Sequence, residues 1–231
     1  ETGLITDSES MFNGILTHTD NPECRQKSII CLSRIDIVRG NVEKAQERLN
    51  ILLYGGKVLD SVTDEAYHIL GDAYFQDKKY KEALDAYAVP LKGKNIPTYR
   101  QAKTLLRIGE CFGKTGYYYN GVHVLKKLLA MIDQIKQRRP EYASFKDEAG
   151  LMLGDYLFKK KNYTAAVKAY SELTQTALND QTRSWAYVKW GETLMQKGDF
   201  DNATRVLLRF TEKMPYSFLN DVAQSQIKSM Q

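Results

Sequence analysis

The sequence predicts an all-α chain of antiparallel helix pairs stacked as an α-solenoid, on three observations. First, a glycine is followed twelve residues later by alanine or glycine, and four further on by a large apolar residue. This occurs at Gly71, Ala83, Tyr87; Gly109, Gly121, Leu125; Gly154, Ala166, Tyr170; and Gly191, Ala203, Leu207. Recurrence of one internal spacing is the signature of a copied unit. Second, both halves of the unit are amphipathic at helical spacing: Tyr67, Leu70 and Tyr74 make one stripe, and Ala83, Tyr87 and Leu91 the other. Third, a helix pair this short cannot bury its apolar face alone, so each unit must lean on its neighbours.

Taken in order, residues 1–22 hold a helix over Asp7–Leu16 that reads as the remnant of a truncated preceding unit. Residues 26–59 form a degenerate repeat, with Ile29, Leu32, Ser33, Val42, Ala45, Leu49 and Leu52 at matching positions and Ser33 in place of the glycine. Four clear repeats follow at 64–97, 102–135, 147–180 and 184–217. Small residues such as Gly71 and Ala83 let the paired helices approach closely. Residues 218–231 read as a polar-backed capping helix whose apolar face is Phe218, Val222, Ala223 and Ile227, with Gln224, Gln226 and Lys228 turned away.

Tyr67, Leu70, Gly71, Tyr74, Ala83 and Tyr87, and again Leu153, Gly154, Tyr163, Ala166 and Tyr170, carry a resemblance to the tetratricopeptide repeat family. Tyr187, Gly191, Ala203 and the closing Pro215 extend it. Gly121 in place of alanine and Gly150 in place of a large residue depart from the pattern. The resemblance implies a right-handed solenoid. Anchors at Ser33, Gly71, Gly109, Gly154 and Gly191 are spaced more widely than the family's usual step of about 34 residues. The extra chain is expected in longer helices or in loops at Lys92–Pro97 and Lys136–Phe145, with irregular curvature as the consequence.

The 231 residues read as a single domain, because solenoids escape the size limit of one compact core and no Gly/Ser-rich linker is present. The longest apolar runs fall far short of the roughly 20 residues that span a bilayer. The chain opens on glutamate without a leader-like stretch, so it reads as a processed or excised segment with more solenoid upstream. Met-Pro-Tyr-Ser at 214–217, followed by Asp221 and Ala223, resembles repeat endings in periplasmic tetratricopeptide proteins of Gram-negative bacteria. That likeness implies the periplasm or cell envelope, with the cytoplasm as the alternative.

Catalytic chemistry is hard to find. His18, His68 and His123 lack metal-ligand spacing, and His68 reads as a surface or groove residue. Gly113-Lys114-Thr115 imitates part of a phosphate loop but lacks the upstream glycine, Ile108 standing there, and falls at an interhelix turn. Three cysteines, Cys24, Cys31 and Cys111, do not make a disulfide scaffold; Cys31 and Cys111 read as small core residues. The sequons at Asn162 and Asn202 fall at turns, where asparagine is favoured anyway. No enzyme activity, metal or cofactor is expected.

The resemblance implies that the first helices line a concave groove. It places Asp72, Glu110, Asp155 and Glu192 there as an acidic ladder. It adds His68, Leu106, Leu151 and Val188; Phe75, Phe158 and Met195; and Trp185. Such a groove suits an amphipathic, basic peptide or helix of another protein, making the chain a non-enzymatic scaffold or adaptor in a multiprotein assembly. The competing view, at equal weight, has Arg107, Lys114 or Lys159 neutralising these acids internally. The family's subclass that clamps C-terminal carboxylates uses lysines and an asparagine; here acids stand where that asparagine should be, and Leu or Val at most of the lysine positions, which disfavours that mode. Two rival functions remain: a helical accessory domain of a larger enzyme or envelope machine, and a polyanion-binding ridge of lysine-rich turns. Lys78, Lys79 and Lys81, Lys136, Arg138 and Arg139, and Lys159, Lys160 and Lys161 would build that ridge, but a net charge of +5 is modest and disfavours nucleic acid. Oligomeric state is not readable.

Overall fold

A computed structural model describes residues 2–92, 98–135 and 140–230. The expected loop residues 93–97, with Pro97, and the basic residues Lys136, Arg138 and Arg139 lie outside the described residues. Among the described residues there are twelve α-helices and no strand. The chain divides into two compact units, Glu1–Thr104 and Leu105–Gln231, with the boundary inside one helix.

The first unit holds α1 (Thr2–His18), α2 (Pro22–Val38), α3 (Val42–Tyr54), α4 (Asp60–Gln76), α5 (Tyr80–Leu91) and the start of α6 (Thr98–Thr115). Each of α1 to α4 packs on the next helix, and α2 also touches α4, the side-by-side contact of two first helices in a stack. Ile30, Leu49, Leu52, Val62, Ile69 and Leu70 fill its core. The second unit continues α6 and adds α7 (Tyr118–Asp133), α8 (Pro140–Lys159), α9 (Tyr163–Thr176), α10 (Asp180–Gln196), α11 (Phe200–Lys213) and α12 (Asn220–Ser229). Here α8 touches α10 and α10 touches α12 in the same skipping pattern.

The repeated glycine is explained by its partner sixteen residues on. A β-carbon placed on Gly71 would lie 2.5 Å from the Tyr87 ring, and one on Gly154 would lie 2.4 Å from the Tyr170 ring. At Gly109 and Gly191 the obstacles are the Leu125 and Leu207 branches, at 2.8 and 2.7 Å. Tyr87, Tyr170, Leu125 and Leu207 are completely buried, as are Ala83, Ala166 and Ala203 one turn before three of them. The glycine thus admits a large side chain into the crossing.

Gly121, which departs from the alanine pattern, has its own cause. Tyr156 of α8 occupies a position where the other repeats bury Ala73, Cys111 and Thr193. Its ring would lie 2.7 Å from a β-carbon at Gly121 and its hydroxyl 2.0 Å from one at Gly113, while that hydroxyl donates to the Gly109 carbonyl at 3.0 Å. Two missing methyls make room for one phenol. Gly113 and Thr115 therefore belong to the end of α6, not to a phosphate-binding loop.

The turns within the pairs obey one geometry. Seven residues after each anchor the backbone is left-handed, at Gly40, Lys78, Gly116, Lys161 and Gly198, with φ of 81°, 60°, 78°, 58° and 81°. In four of these turns the next amide donates five residues back, as Asn41 to Asp36, Lys79 to Tyr74, Asn162 to Leu157 and Asp199 to Leu194, the 6→1 bond of a Schellman cap. The same feature after Ser33 aligns α2 and α3 with the clear repeats.

Polar side chains clip the connections between pairs. Gln26 of α2 accepts from Leu59 N and donates to Lys57 O. Asp147 of α8, buried, accepts from the Leu178 and Asn179 amides. Ser184 of α10 accepts from the Ser217 hydroxyl. All three lie seven residues before their anchor, so a first-helix residue holds the loop that follows the next helix.

The ends differ from expectation. Helix α1 is longer than Asp7–Leu16, and the capping helix begins at Asn220. Its inner face is Leu219, Ala223, Ile227 and Met230, at i, i+4, i+8 and i+11, whereas Phe218 and Val222 are exposed. The connection from Met214 to Leu219 rotates the helix by about one residue relative to the sequence reading. All three cysteines are free, with Cys24 exposed and Cys111 buried.

Candidate partner-binding surface

Four acids follow the four glycines, and every one has a partner inside its own unit. In the first unit the Tyr87 hydroxyl donates to Asp72 Oδ1 at 2.6 Å, with Lys103 Nζ and His68 Nε2 each 3.7 Å from Oδ2. In the second unit the Tyr170 hydroxyl donates to Asp155 Oδ1 at 2.6 Å. Burial pushes the Asp155 carboxyl above its ordinary value, opposed by the Tyr170 hydrogen bond and the Lys189 charge. Burial likewise pushes the Tyr170 phenol up, so it remains a protonated donor. Glu110 accepts from Arg107 at 2.7 Å, and Glu192 lies 3.2 Å from Lys189 Nζ, both three residues along the same helix.

His68, read as a surface or groove residue, is a core residue 3% exposed. Its Nδ1 lies 3.0 Å from Thr104 Oγ1 and its ring packs 5.5 Å from that of Tyr87. Leu106 and Val188 are also buried, at 4% and 3% exposure, because these positions turn toward neighbouring helices. Phe75 in the first unit stays half-buried, edge-on to Tyr80 at 5.4 Å.

In the second unit Leu151 and Phe158 of α8, and Trp185 and Met195 of α10, are half-buried on two helices in contact; Leu151 packs against Leu173, Ala177 and Ala186, and Trp185 and Met195 against the core around Val188, Leu207 and Phe210. Phe158 rests edge-on against Tyr163 at 5.5 Å, and Trp185 against Phe218 at 6.0 Å. Asp155 and Glu192, half-buried, stand on the same two helices.

Sequence reasoning missed an aromatic extension beside Trp185. Tyr216 is 100% and Phe218 60% exposed, next to a cavity of about 720 Å³ that Arg183, Ser184, Lys213 and Met214 also line. The signal is present in the sequence as Tyr216 and Phe218 after Pro215, but a helical phase that runs through Phe218 places it on the inner face of the capping helix. Among the described residues no cluster of three or more His, Cys, Asp or Glu side chains could hold a metal ion. Nor is any described helix long and apolar enough to cross a membrane.

Comparison with known proteins agrees with this architecture. The tetratricopeptide repeat profile matches residues 64–88, which cover most of α4 and most of α5. No curated protein matches the chain in sequence. The fold is similar to the apo form of RapI, with a TM-score of 0.78 at 12% identity, covering 98% of this chain and 70% of that one. It is similar to YrrB, described as a tetratricopeptide repeat protein with an unusual peptide-binding site, with a TM-score of 0.66 at 17% identity, covering 94% and 99%. PilF of Pseudomonas aeruginosa gives a TM-score of 0.60 at 14% identity, covering 96% and 97%. The fold is that of an all-α tetratricopeptide-type solenoid, a fold commonly used for protein–protein interaction. The resemblance read from Tyr67 to Tyr87 thus extends, as fold, along the chain.

Proposed function

We propose that the chain is a non-enzymatic scaffold whose second unit binds a segment of another protein along α8 and α10. One observation carries the reading: Leu151, Phe158, Trp185 and Met195, with Asp155 and Glu192, all stay half-buried on two helices that touch, and we read them as one apolar row beside two acids. Side chains of this kind release water on contact, and partly buried aromatics are the usual anchors of an interface. YrrB, similar in fold, is a peptide-binding protein by its own description, which supports a polypeptide ligand. Because Glu192 and Asp155 are already engaged, they discriminate orientation and charge more than they add affinity. The partner is accordingly an amphipathic segment whose apolar face fills the row and whose basic residues approach the two acids. In the first unit Asp72 and Phe75 offer a smaller version of the same surface.

The test is selection of binding peptides from a displayed random library, followed by anisotropy titration. Phe158→Ala and Trp185→Ala should each weaken binding about tenfold or more, and Asp155→Lys with Glu192→Lys should remove the preference for basic peptides. Equal affinity in all variants would overturn the assignment.

A further inference from the structure

Helix α4 carries a second feature on the face that helical spacing turns away from Asp72 and Phe75. A cleft of about 340 Å³ lies there between α3, α4 and α5, lined by Tyr54, Tyr67 and Tyr74 with Leu70 and Ala86, and by Glu82 and Asp85 of α5. Leu70 and Ala86 are buried, and Tyr67 and Tyr74 pack half-buried against the core of the first unit, so this part of the wall is held in place. Tyr54, the last residue of α3, is 71% exposed. The Tyr67 hydroxyl beside it pushes the Tyr54 phenol up, which marks the two as neighbours. None of the three rings stacks on another aromatic ring among the described residues. Glu82 and Asp85 are exposed and have no hydrogen bond or ion pair among the described residues. Lys79, three residues before Glu82, is committed to Asp77 at 2.6 Å.

Repeat packing alone does not require this set. Counted from the anchor glycine, α10/α11 places Leu194, Asn202 and Arg205 where α4/α5 has Tyr74, Glu82 and Asp85. Likewise α8/α9 places Gly150, Ala165 and Lys168 where α4/α5 has Tyr67, Glu82 and Asp85. Three phenols and two carboxylates thus meet at one cleft whose counterparts carry neutral or basic residues. Each element has a ligand preference of its own, and the preferences agree. A ring face attracts a cation, a carboxylate supplies the counter-charge, and an apolar base favours alkyl groups over water.

We propose that the α3–α4–α5 cleft binds an alkylated ammonium cation, the chemistry shared by a free quaternary amine and a methylated lysine side chain. Tyr54, Tyr67 and Tyr74 attract the charge, Glu82 and Asp85 balance it, and Leu70 and Ala86 receive its methyl groups. A primary ammonium is more strongly hydrated and has to give up more water against the same apolar base. The cleft uses no residue of α8 or α10 and is independent of the groove reading.

The test uses the tyrosine rings as reporters. The full chain is labelled with ¹³C on its tyrosine rings, and single Tyr→Phe changes assign the signals of Tyr54, Tyr67 and Tyr74. Choline and a capped tripeptide centred on trimethyllysine are titrated separately at constant ionic strength, beside the neutral isostere of choline in which carbon replaces nitrogen. A saturable shift of these ring signals is expected with both cations and not with the isostere. Tyr54→Ala, and separately Glu82→Gln with Asp85→Asn, should each weaken binding about threefold or more, while Tyr54→Phe keeps the ring and should retain it. These three side chains are exposed, and an unchanged helical spectrum confirms that the variants fold. Tighter binding of the peptide than of choline identifies a cation borne on a polypeptide; equal or weaker binding identifies a free amine. No saturable shift, an equal response to the isostere, or undiminished binding in Tyr54→Ala or in the variant lacking both acids would overturn the proposal.

Discussion

The helix pairs α4/α5 and α8/α9 solve the same crossing differently from α6/α7 and α10/α11. In the first two, a tyrosine ring lies on the anchor glycine and its hydroxyl reaches the aspartate next to that glycine. In the other two, a leucine lies on the glycine, and the acid is a glutamate that pairs with a base one turn earlier on its own helix. The acid matches its partner. An aspartate keeps its carboxylate near the backbone, where a phenol from the second helix arrives; with leucine no donor arrives, and only the longer glutamate can fold back. Even the turns differ. The tyrosine pairs close through Lys78 and Lys161 in the left-handed region, whereas the leucine pairs use Gly116 and Gly198. Four acids that look equivalent in sequence are therefore two structural devices.

Adding one methyl group tests the crossing most severely. Gly154→Ala sets a β-carbon 2.4 Å from a rigid ring, while Gly191→Ala sets one 2.7 Å from leucine carbons at the end of a flexible branch. Overpacking costs about 1–3 kcal/mol, against a helix-propensity gain of up to about 1 kcal/mol. Gly154→Ala should lose about 2 kcal/mol in urea unfolding, and Gly191→Ala distinctly less. Equal losses would show that ring and branch yield alike.

Removing one hydroxyl comes next. Tyr170→Phe keeps the ring on Gly154 but leaves a half-buried carboxylate without its donor, a loss of about 1.5 kcal/mol for a hydrogen bond to a charged group. In the leucine pairs the matching change, Glu192→Gln, breaks a partly exposed ion pair and should cost about 0.5 kcal/mol or less. Thermal melts of the two variants decide it, and a larger effect at Glu192 would reverse the ranking.

Much of this was legible beforehand, because steric demands leave composition behind. The glycine-to-tyrosine or glycine-to-leucine spacing follows from helical geometry, so repeat anchors, helix pairs and buried stripes could be read directly. The pairing of Asp72 with Tyr87, Asp155 with Tyr170, Glu110 with Leu125 and Glu192 with Leu207 is visible in the string too, but its meaning needs the phenol's reach. What escaped were events between neighbours. The burial of His68 against Thr104 and Tyr87, and the Tyr156 phenol displacing methyls at Gly113 and Gly121, depend on which side chains meet across pairs. The capping helix was misread by about one residue because the connection after Pro215 resets the phase. Of the expected groove residues, Leu151, Phe158, Trp185 and Met195 stay half-buried, while His68, Leu106 and Val188 were spent on packing.

The turns provide the third test. A lysine held at positive φ costs roughly 1 kcal/mol relative to glycine, so Lys161→Gly should stabilise the chain by up to about 1 kcal/mol. Gly198→Ala should destabilise by a similar amount. Denaturant midpoints measure both. No gain from Lys161→Gly would mean that lysine contacts in the tyrosine pairs offset the backbone strain; the cation lying 4.6 Å from the Tyr119 ring centroid is its neighbour Lys160, not Lys161.

The smallest effect concerns protons. Because burial raises the Asp155 carboxyl in the folded state, the folded chain binds that proton more tightly than the unfolded one. Its contribution is fully present below the ordinary aspartate value of 3.8 and is lost as pH rises through the raised folded value. Asp155→Asn keeps an acceptor for the Tyr170 hydroxyl without a charge to desolvate, so the variant should lack this step. Subtracting its stability–pH curve from that of the parent isolates one site from the other carboxylates. The parent should lose stability relative to the variant as pH rises above 3.8; the opposite slope would mean that Tyr170 and Lys189 outweigh burial, and that the tyrosine pairs hold their aspartates as favourably charged groups.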